Sequence, residues 1–189
     1  IEVLTGLRCP KVGEIKLDGK ALKSDQLSLM KGLIGFVPQQ IDFIEGSIKD
    51  NIAYGKNAGE GDVDRVKEVA KQAQIHDFIE GELPNGYETV VGEIGTKLST
   101  GQRQRLAIAR ALYHRPEILI FDEASSSLDT KNERLFLQTC AVLKKSCTII
   151  FVSHQLEPLK ICKKIHFIEN GTVKMVGNFS EIRKLVISE

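Results

Sequence analysis

The sequence has few of the features that mark secreted, zinc-bound or membrane-spanning proteins. Its four cysteines are scattered and none falls in a Cys-x-x-Cys pair, so we expect reduced, space-filling thiols rather than a disulfide or zinc framework. Its longest apolar runs, 118–121 and 148–152, have the length of strands, whereas a bilayer helix needs about 20 apolar residues. No signal-peptide pattern follows Ile1. The sequence predicts a soluble fragment.

The chain also lacks an excess of charge of either sign. The chain carries 26 basic and 25 acidic residues, for a net charge of +1, which gives no global field for nucleic acid or an anionic membrane. Its 42% hydrophobic and 27% charged residues are typical of globular proteins, and 189 residues suffice for one domain with a small subdomain. Any anion site must therefore be built from local groups.

The first half of the chain mixes strand and helix signals. Residues 1–7 fit the end of a helix stopped by Gly6, and residues 13–19 fit an alternating strand that closes on an Asp-Gly turn. We predict a short strand over 33–37, helical periodicity over 62–79 and a helix over about 101–113.

The second half indicates a parallel sheet. The apolar runs 118–121 and 148–152 flank a helical stretch, and strands buried on both faces and joined by a helix form parallel sheets. A hairpin over 164–176 and a short helix from about Ser180 complete the chain. We predict an α/β core over about 1–44 and 116–189, an inserted α-helical subdomain over about 45–115, and a C-terminal β-hairpin.

A helix start near Ser99 has the groups of an anion site. In Leu98-Ser99-Thr100-Gly101-Gln102, Ser99 is suited to cap the following helix, and Gly101 permits close approach of a ligand to the backbone. The exposed N–H groups and the positive end of the helix dipole favour an anion. An ordinary capped helix has the same pattern, so the residues alone leave both interpretations open.

Two carboxylates follow the predicted strand 118–121. Asp122 and Glu123 come at its carboxyl end, where open α/β sheets bind their ligands. There, Asp122 is suited to order Mg²⁺ through water, and Glu123 is suited to polarise an attacking water. A solvated acidic turn explains the same pair equally well.

Two further polar residues lie beside strand ends. His154 closely follows the run 148–152 and is suited to contact a γ-phosphate and hold the attacking water. Gln39 follows Pro38, and its amide is suited to join Mg²⁺ and that water when a loop closes. A structural histidine and a polar loop residue are the alternative interpretations.

In their order and spacing, these motifs resemble the nucleotide-binding (ATPase) domain of an ABC transporter. Residues 98–102 resemble the signature sequence LSGGQ, continued by Arg103-Gln104-Arg105, and residues 118–123 resemble the Walker B strand with its catalytic glutamate. Ser126-Ser127-Leu128-Asp129 resembles the D-loop, Gln39 the Q-loop glutamine and His154 the switch histidine. The resemblance covers nearly all of the chain. It implies a P-loop NTPase-like α/β fold, ATP and Mg²⁺ as cofactors, and ATP hydrolysis coupled to transport.

The resemblance also implies how the residues divide between two nucleotides. In this family two ATPase domains, identical or different, face each other head to tail, and ATP lies between the P-loop of one and the signature of the other. The residues implied at the partner's nucleotide are Ser99, Thr100, Gly101, Gln102 and Asp129. The residues implied at the chain's own nucleotide are Glu123, His154 and Gln39 for catalysis, and Asp122 with Gln39 for Mg²⁺.

Two loops are similar to those of ABC exporters. Residues 87–95 resemble the loop TxVGExG, which implies that Glu93 lies near the coupling helices of a transmembrane domain, and residues 43–52 resemble the stretch F-x-G-S-I-x-D-N-I. The resemblance implies an exporter or flippase at the cytoplasmic face of the membrane, peripheral or fused to its transmembrane domain. The implied contacts with that domain are the loops around 39–51 and 90–95.

The sequence departs from the family pattern at two points. Thr100 replaces the first glycine of the signature pair, and a β-branched residue is strained at positive φ, so a looser signature contact is expected. The family's phosphate-binding P-loop, Gly-x-x-x-x-Gly-Lys-[Ser/Thr], does not occur. We therefore expect that the chain is truncated at its N-terminus, just after the P-loop. The isolated chain should then bind ATP feebly and show no ATPase activity above background.

Two other functions are compatible with the residues. The first is a non-catalytic fragment that contributes only a signature half-site to a partner ATPase. A pseudogene product or an incomplete gene model would also explain the missing P-loop motif. The second is a non-transport ABC ATPase, which is expected to carry long coiled-coil insertions or tandem domains. The sequence shows neither of these additions.

Overall fold

The computed structural model describes residues 1–23, 26–55, 62–92 and 95–187. The chain opens on a helical turn that Gly6 ends. Gly6 has a φ of 71°, its N–H donates to the Val3 carbonyl at 3.3 Å, and the Leu7 N–H donates to the Glu2 carbonyl at 2.9 Å. This pair of bonds is the Schellman arrangement, which ends helices at a glycine. The predicted stop at Gly6 is confirmed.

A short antiparallel hairpin follows, made by β1 (Lys16–Leu17) and β2 (Lys20–Ala21). Asp18 and Gly19 connect the strands, with φ values of 49° and 78°. Two consecutive positive φ values define the type I′ turn, whose twist matches that of paired strands. The Asp-Gly turn is therefore confirmed, although the strand is shorter than predicted because only two residues on each side pair.

The middle of the chain is mostly helical. Its elements are α1 (Ser28–Leu33), β3 (Ile34–Val37), β4 (Gly46–Ser47), α2 (Ile48–Ile52), α3 (Val63–Gln72), α4 (His76–Glu82), β5 (Val90–Val91) and α5 (Thr100–Tyr113). The periodicity over 62–79 belongs to two helices, so the prediction of one continuous helical stretch is wrong. The break lies at Gln74, which has a φ of 55° and donates its N–H to the Lys71 carbonyl at 3.0 Å. A left-handed residue ends α3 there as Gly6 ends the first turn.

A parallel sheet lies at the centre of the fold. It contains β3, β6 (Ile118–Asp122) and β7 (Thr148–Val152) in that order, with α6 (Thr130–Leu143) connecting the last two. The predicted parallel α/β sheet is confirmed. β6 is largely buried, whereas β7 has three partly buried residues between two exposed ones. The expectation that both strands are buried on both faces therefore holds for β6 alone.

The chain ends in a second hairpin and a helix, as predicted. β8 (Ile165–Glu169) pairs with β9 (Thr172–Gly177) in antiparallel register, with an irregularity between Phe167 and Ile168. α7 (Phe179–Ile187) follows, and the Asn178 side chain accepts the Glu181 N–H at 3.1 Å at its start. None of the helices among the described residues combines the length and apolarity that a bilayer crossing requires.

One hydrophobic core joins the sheet to the helical middle, and aromatic rings lie beneath the carboxyl end of β6. Phe121 stacks on Phe151 at a centroid distance of 5.2 Å and meets Phe136 edge-on at 5.0 Å. The thiols behave as space-filling groups: Cys140 is buried, Cys147 and Cys162 are partly buried, and all are free. Burial raises the pKa of the Cys140 thiol. Cys9 is the exposed exception.

Candidate functional site

The three predicted catalytic side chains lie together, with Gln39 and His154 both contacting Glu123. Gln39 Nε2 donates to Glu123 Oε2 at 2.9 Å, and His154 Nδ1 lies 3.2 Å from Glu123 Oε1. Each oxygen of the carboxylate therefore has its own partner. The Glu123 side chain is 29% exposed and that of His154 is 64% exposed, so the group is open to a ligand. The structure brings these residues together although Gln39 and Glu123 are 84 positions apart.

The parallel sheet explains this convergence. β3, β6 and β7 end at the same edge, and Gln39, Glu123 and His154 each follow one of those strands within two residues. Glu123 has a φ of 49°, and its N–H donates to the Val152 carbonyl at 2.8 Å. The left-handed conformation turns the chain sharply as it leaves the sheet. The carboxylate then lies between the two neighbouring strand ends.

Asp122 and Gln39 offer oxygen atoms of the kind that Mg²⁺ requires. Asp122 is the last residue of β6, and Gln39 engages Glu123 through its nitrogen rather than its oxygen. Among the described residues no group of three or more His, Cys, Asp or Glu side chains could hold a metal. Mg²⁺ usually takes only one or two carboxylates and completes its shell with water and substrate phosphates. The residues present fit an ion held in that way.

The signature segment begins α5 with a capping box. The Ser99 hydroxyl accepts the Gln102 N–H at 3.3 Å, and Gln102 Oε1 accepts the Ser99 N–H at 2.8 Å. Thr100 is the first helical residue, so the expectation of strain at positive φ is wrong. In the described part of the chain, the N–H groups of Thr100 and Gly101 have no hydrogen-bond partner. These are the groups through which a helix start binds an anion.

Asp129 lies close to this helix start, as the cap of α6. Its carboxylate accepts the Asn132 N–H at 2.9 Å and the Asn132 Nδ2 group at 2.7 Å. The Asn132 carboxamide in turn packs against Gly101, where an added Cβ would lie 2.6 Å from its Cγ. The hydrogen bonds from the Asn132 backbone and then from its side chain lower the pKa of Asp129.

Replacing Asn132 with Ala should raise the pKa of Asp129 towards its ordinary value, because the variant keeps the backbone donor but loses the side-chain donor. A depressed carboxyl pKa contributes stability above the unfolded pKa, and this contribution is lost as the pH falls through the folded pKa. The advantage of the wild type over N132A should therefore shrink in acid. An NMR titration of the Asp129 carboxyl carbon measures the shift.

The matched control is Asn178→Ala, which removes a similar cap from α7. It should leave the Asp129 titration unchanged. An identical Asp129 midpoint in N132A and the wild type would contradict the prediction.

Sequence reasoning missed a clamp between the stretch 43–52 and α5. The Phe43 ring has the guanidinium of Arg103 at 5.0 Å and that of Arg110 at 4.8 Å from its centroid. Arg110 also donates to the buried Asn51 side chain at 2.7 Å and to the Asp42 carbonyl at 2.8 Å. Arg103 and Arg110 are seven positions apart, two helical turns on one face, and this spacing was the available signal.

A pocket of about 250 Å³ adjoins this clamp. Its walls are Phe43, Val91, Gly92, Thr96, Lys97, Leu98 and Arg103. Glu93, which the sequence places near a transmembrane partner, lies outside the described residues. A larger cleft of about 600 Å³ is elsewhere, at the amino ends of β6 and β7, and includes Arg115, Glu117 and Thr148. It lies at the opposite ends of these strands from Glu123.

Comparisons with known proteins agree with the motifs. The ABC transporter family model matches residues 1–126. ATP-binding cassette sub-family B member 5 of Mus musculus is 38% identical over 96% of this chain and 14% of its own length. ABC transporter B family member 1 of Dictyostelium discoideum is 39% identical over 92% of this chain and 19% of its own length. The chain thus spans less than a fifth of either relative.

A solved structure shows the same fold. The structure of a bacterial Atm1-family ABC exporter with ATP bound aligns with a TM-score of 0.85 and 34% identity, over 98% of this chain and 32% of that one. With a family model over more than half of its length and a matching exporter structure, the chain belongs to the ABC transporter family and is similar to the ATP-binding domains of its exporters.

Proposed function

We propose that this chain is the ATP-hydrolysing part of an ABC exporter or flippase and energises transport across a membrane. The observation that carries the proposal is the Glu123 carboxylate, held at both oxygens by Gln39 and His154 at the carboxyl edge of the parallel sheet. Ligands of open α/β sheets bind at that edge. The ATP-bound exporter structure with the same fold supports the choice of ligand.

Glu123 is suited to the role of general base. ATP with Mg²⁺ supplies the phosphoanhydride bond and the charge that the metal neutralises. Glu123 accepts a hydrogen bond from the attacking water and removes its proton as the water oxygen bonds to the γ-phosphorus and the phosphoanhydride bond to the leaving group, ADP, breaks. A carboxylate has about four acceptor positions, so the contacts with Gln39 and His154 orient it without filling it. Asp122 and the Gln39 oxygen would hold the Mg²⁺ shell.

His154 is suited to connect the general base with the phosphate. Its Nδ1 faces Glu123, which leaves Nε2 as the ring nitrogen for a ligand. We infer that His154 contacts Glu123 through Nδ1 and a γ-phosphate oxygen through Nε2.

The signature segment serves a nucleotide carried by a second ATPase domain in a head-to-tail dimer. The N–H groups of Thr100 and Gly101, which have no partner among the described residues and lie at the positive end of α5, support an anion contact there. Ser99 and Gln102 hold the helix start in place through their capping box. Asp129, exposed at the start of α6, crosses to the partner.

The 250 Å³ pocket is the proposed contact with the transmembrane domain at the cytoplasmic face of the membrane. It is lined by Phe43 from the loop around 39–51 and by Val91 and Gly92 from the loop around 90–95, and the Phe43 clamp joins it to α5. We also propose residues 45–115 as the helical subdomain, because α2, α3 and α5 pack on one another, and residues 1–44 and 116–189 as the core.

The test uses the protein that contains this chain, combined with an ABC ATPase domain that carries a P-loop. Mg²⁺-ATP should promote their association, measured by light scattering, together with phosphate release. Thr100→Asp should prevent the association, because an acidic residue suits the first helical position yet repels a phosphate. Val63→Asp is the control, because it introduces the same acidic residue at the exposed first position of α3. This variant should associate normally.

The outcomes separate enzyme from half-site. Phosphate release that depends on Glu123 supports the ATPase. Association that depends on Thr100 without any dependence of hydrolysis on Glu123 supports the alternative, a signature half-site for a partner. Association that is indifferent to ATP and to T100D overturns both proposals.

A further inference from the structure

We propose that Gln104 is a positioning residue that fixes the peptide after Glu123 and so ties the catalytic carboxylate to the signature end of α5. This inference rests on the proposed ATPase function. The Gln104 side chain is buried in α5, with the residue only 2% exposed, and its Nε2 donates to the Ala124 carbonyl. Ala124 directly follows Glu123.

The backbone around Glu123 is held from two sides. On one side, the Glu123 N–H donates to the Val152 carbonyl of β7 at 2.8 Å. On the other side, Gln104 of α5 holds the next carbonyl. Glu123 lies between these bonds in a left-handed conformation, with a φ of 49°. The direction of its side chain is therefore set by β7 and α5 together.

A second contact joins the signature end of α5 to the same loop. Gly101 and Gln104 are three positions apart, which places them on one face of the helix. The Gly101 Cα packs against the Asn132 carboxamide, and Asn132 is hydrogen-bonded to Asp129. Gln104 and Gly101 of α5 thus contact the two ends of the segment 124–132, at Ala124 and at Asn132. A displacement of the signature end moves this segment, and with it the peptide that carries Glu123.

The chemistry makes the Gln104 bond difficult to replace. The contact is partly buried, and a carbonyl that loses its donor in such a place must find another partner, so the loop shifts. A shift of about 1 Å at a catalytic group lowers a rate by about 100-fold. Since Gln104 is part of neither the capping box nor the Glu123 contacts, the effect falls on turnover rather than on nucleotide binding.

The experiment is Gln104→Met in the intact protein that contains this chain. Met keeps the length and volume of the side chain and removes the donor. We expect kcat for ATP hydrolysis to fall about 10- to 100-fold, with KM for ATP changed by less than about threefold. Gln72→Met, at the end of α3, is the control and should retain the wild-type kcat. A Q104M enzyme with wild-type kcat overturns the inference.

A double-mutant cycle distinguishes positioning from general damage. If Gln104 acts through Glu123, adding Q104M to Glu123→Gln should lower the residual rate by less than about twofold. A full further loss of 10- to 100-fold would show an independent role and overturn the inference. A wild-type protein without ATPase activity refutes the proposed function instead, whereas an active wild type with an active Q104M refutes only the role of Gln104.

Hydrogen exchange on the wild type provides a test that needs no variant. Nucleotide engagement at the signature end should slow amide exchange over 99–104 and over 124–129 together, because Gln104 and Asn132 link the two segments. Protection of 99–104 without protection of 124–129 would contradict the link. This test does not depend on whether Q104M folds.

Discussion

Glu123→Gln should lower kcat for ATP hydrolysis by about 10²- to 10⁴-fold, the usual contribution of a general base, while ATP-dependent association persists. The amide keeps the shape of the side chain but cannot take a proton. It also disturbs one contact, since an amide nitrogen placed at Oε2 would face the Gln39 donor and one placed at Oε1 would face His154 Nδ1. Phosphate release and light scattering on the intact protein measure the two properties.

Glu117→Gln is the matched control. Glu117 immediately precedes β6, so the same change is made at the opposite end of the same strand, on an exposed side chain. It should leave kcat unchanged. If E123Q and E117Q hydrolyse ATP at the wild-type rate, Glu123 is not the base and the proposed mechanism fails.

Phe121→Ala should destabilise the fold by about 3–5 kcal/mol, the cost of truncating a buried aromatic residue. Phe121 is 1% exposed, stacks on Phe151 and meets Phe136 edge-on, so the variant loses both ring contacts and leaves a cavity. Because Phe121 precedes the two carboxylates of the site, activity should be lost at lower temperature as well. Urea denaturation followed by circular dichroism measures the free energy of unfolding.

The control for this prediction is Val142→Ala on α6. Val142 is 57% exposed, and such surface changes usually alter stability by less than about 0.5 kcal/mol. Equal urea midpoints for F121A and V142A would contradict the role of Phe121 in the core.

The sequence predicted the features whose geometry is set by neighbouring residues. The Asp18-Gly19 turn follows from two residues that tolerate positive φ, and the start of α5 follows from a hydroxyl placed to cap it. The parallel sheet follows from apolar runs separated by a helix. With the family resemblance, the same order of motifs predicted which polar residues would gather at the strand ends.

Features that depend on distant packing were not predicted. Apolar periodicity runs through residues 62–79 without a visible break. The break between the two helices was missed because Gln74 adopts a left-handed conformation that a glutamine does not predict. The contacts of Gln104 with Ala124 and of Asn132 with Gly101 depend on how α5 lies against the loop after β6. Polar residues at those places in the sequence indicate solvent as readily as a buried partner.

The left-handed backbone at Glu123 implies a trade-off between the stability of the fold and the proposed catalytic activity. A non-glycine residue in this conformation is disfavoured by roughly 1 kcal/mol relative to glycine. Glycine would relieve the strain and remove the side chain that contacts both Gln39 and His154. With Glu123 as the proposed general base, a substitution chosen only for heat resistance at this position would therefore remove activity.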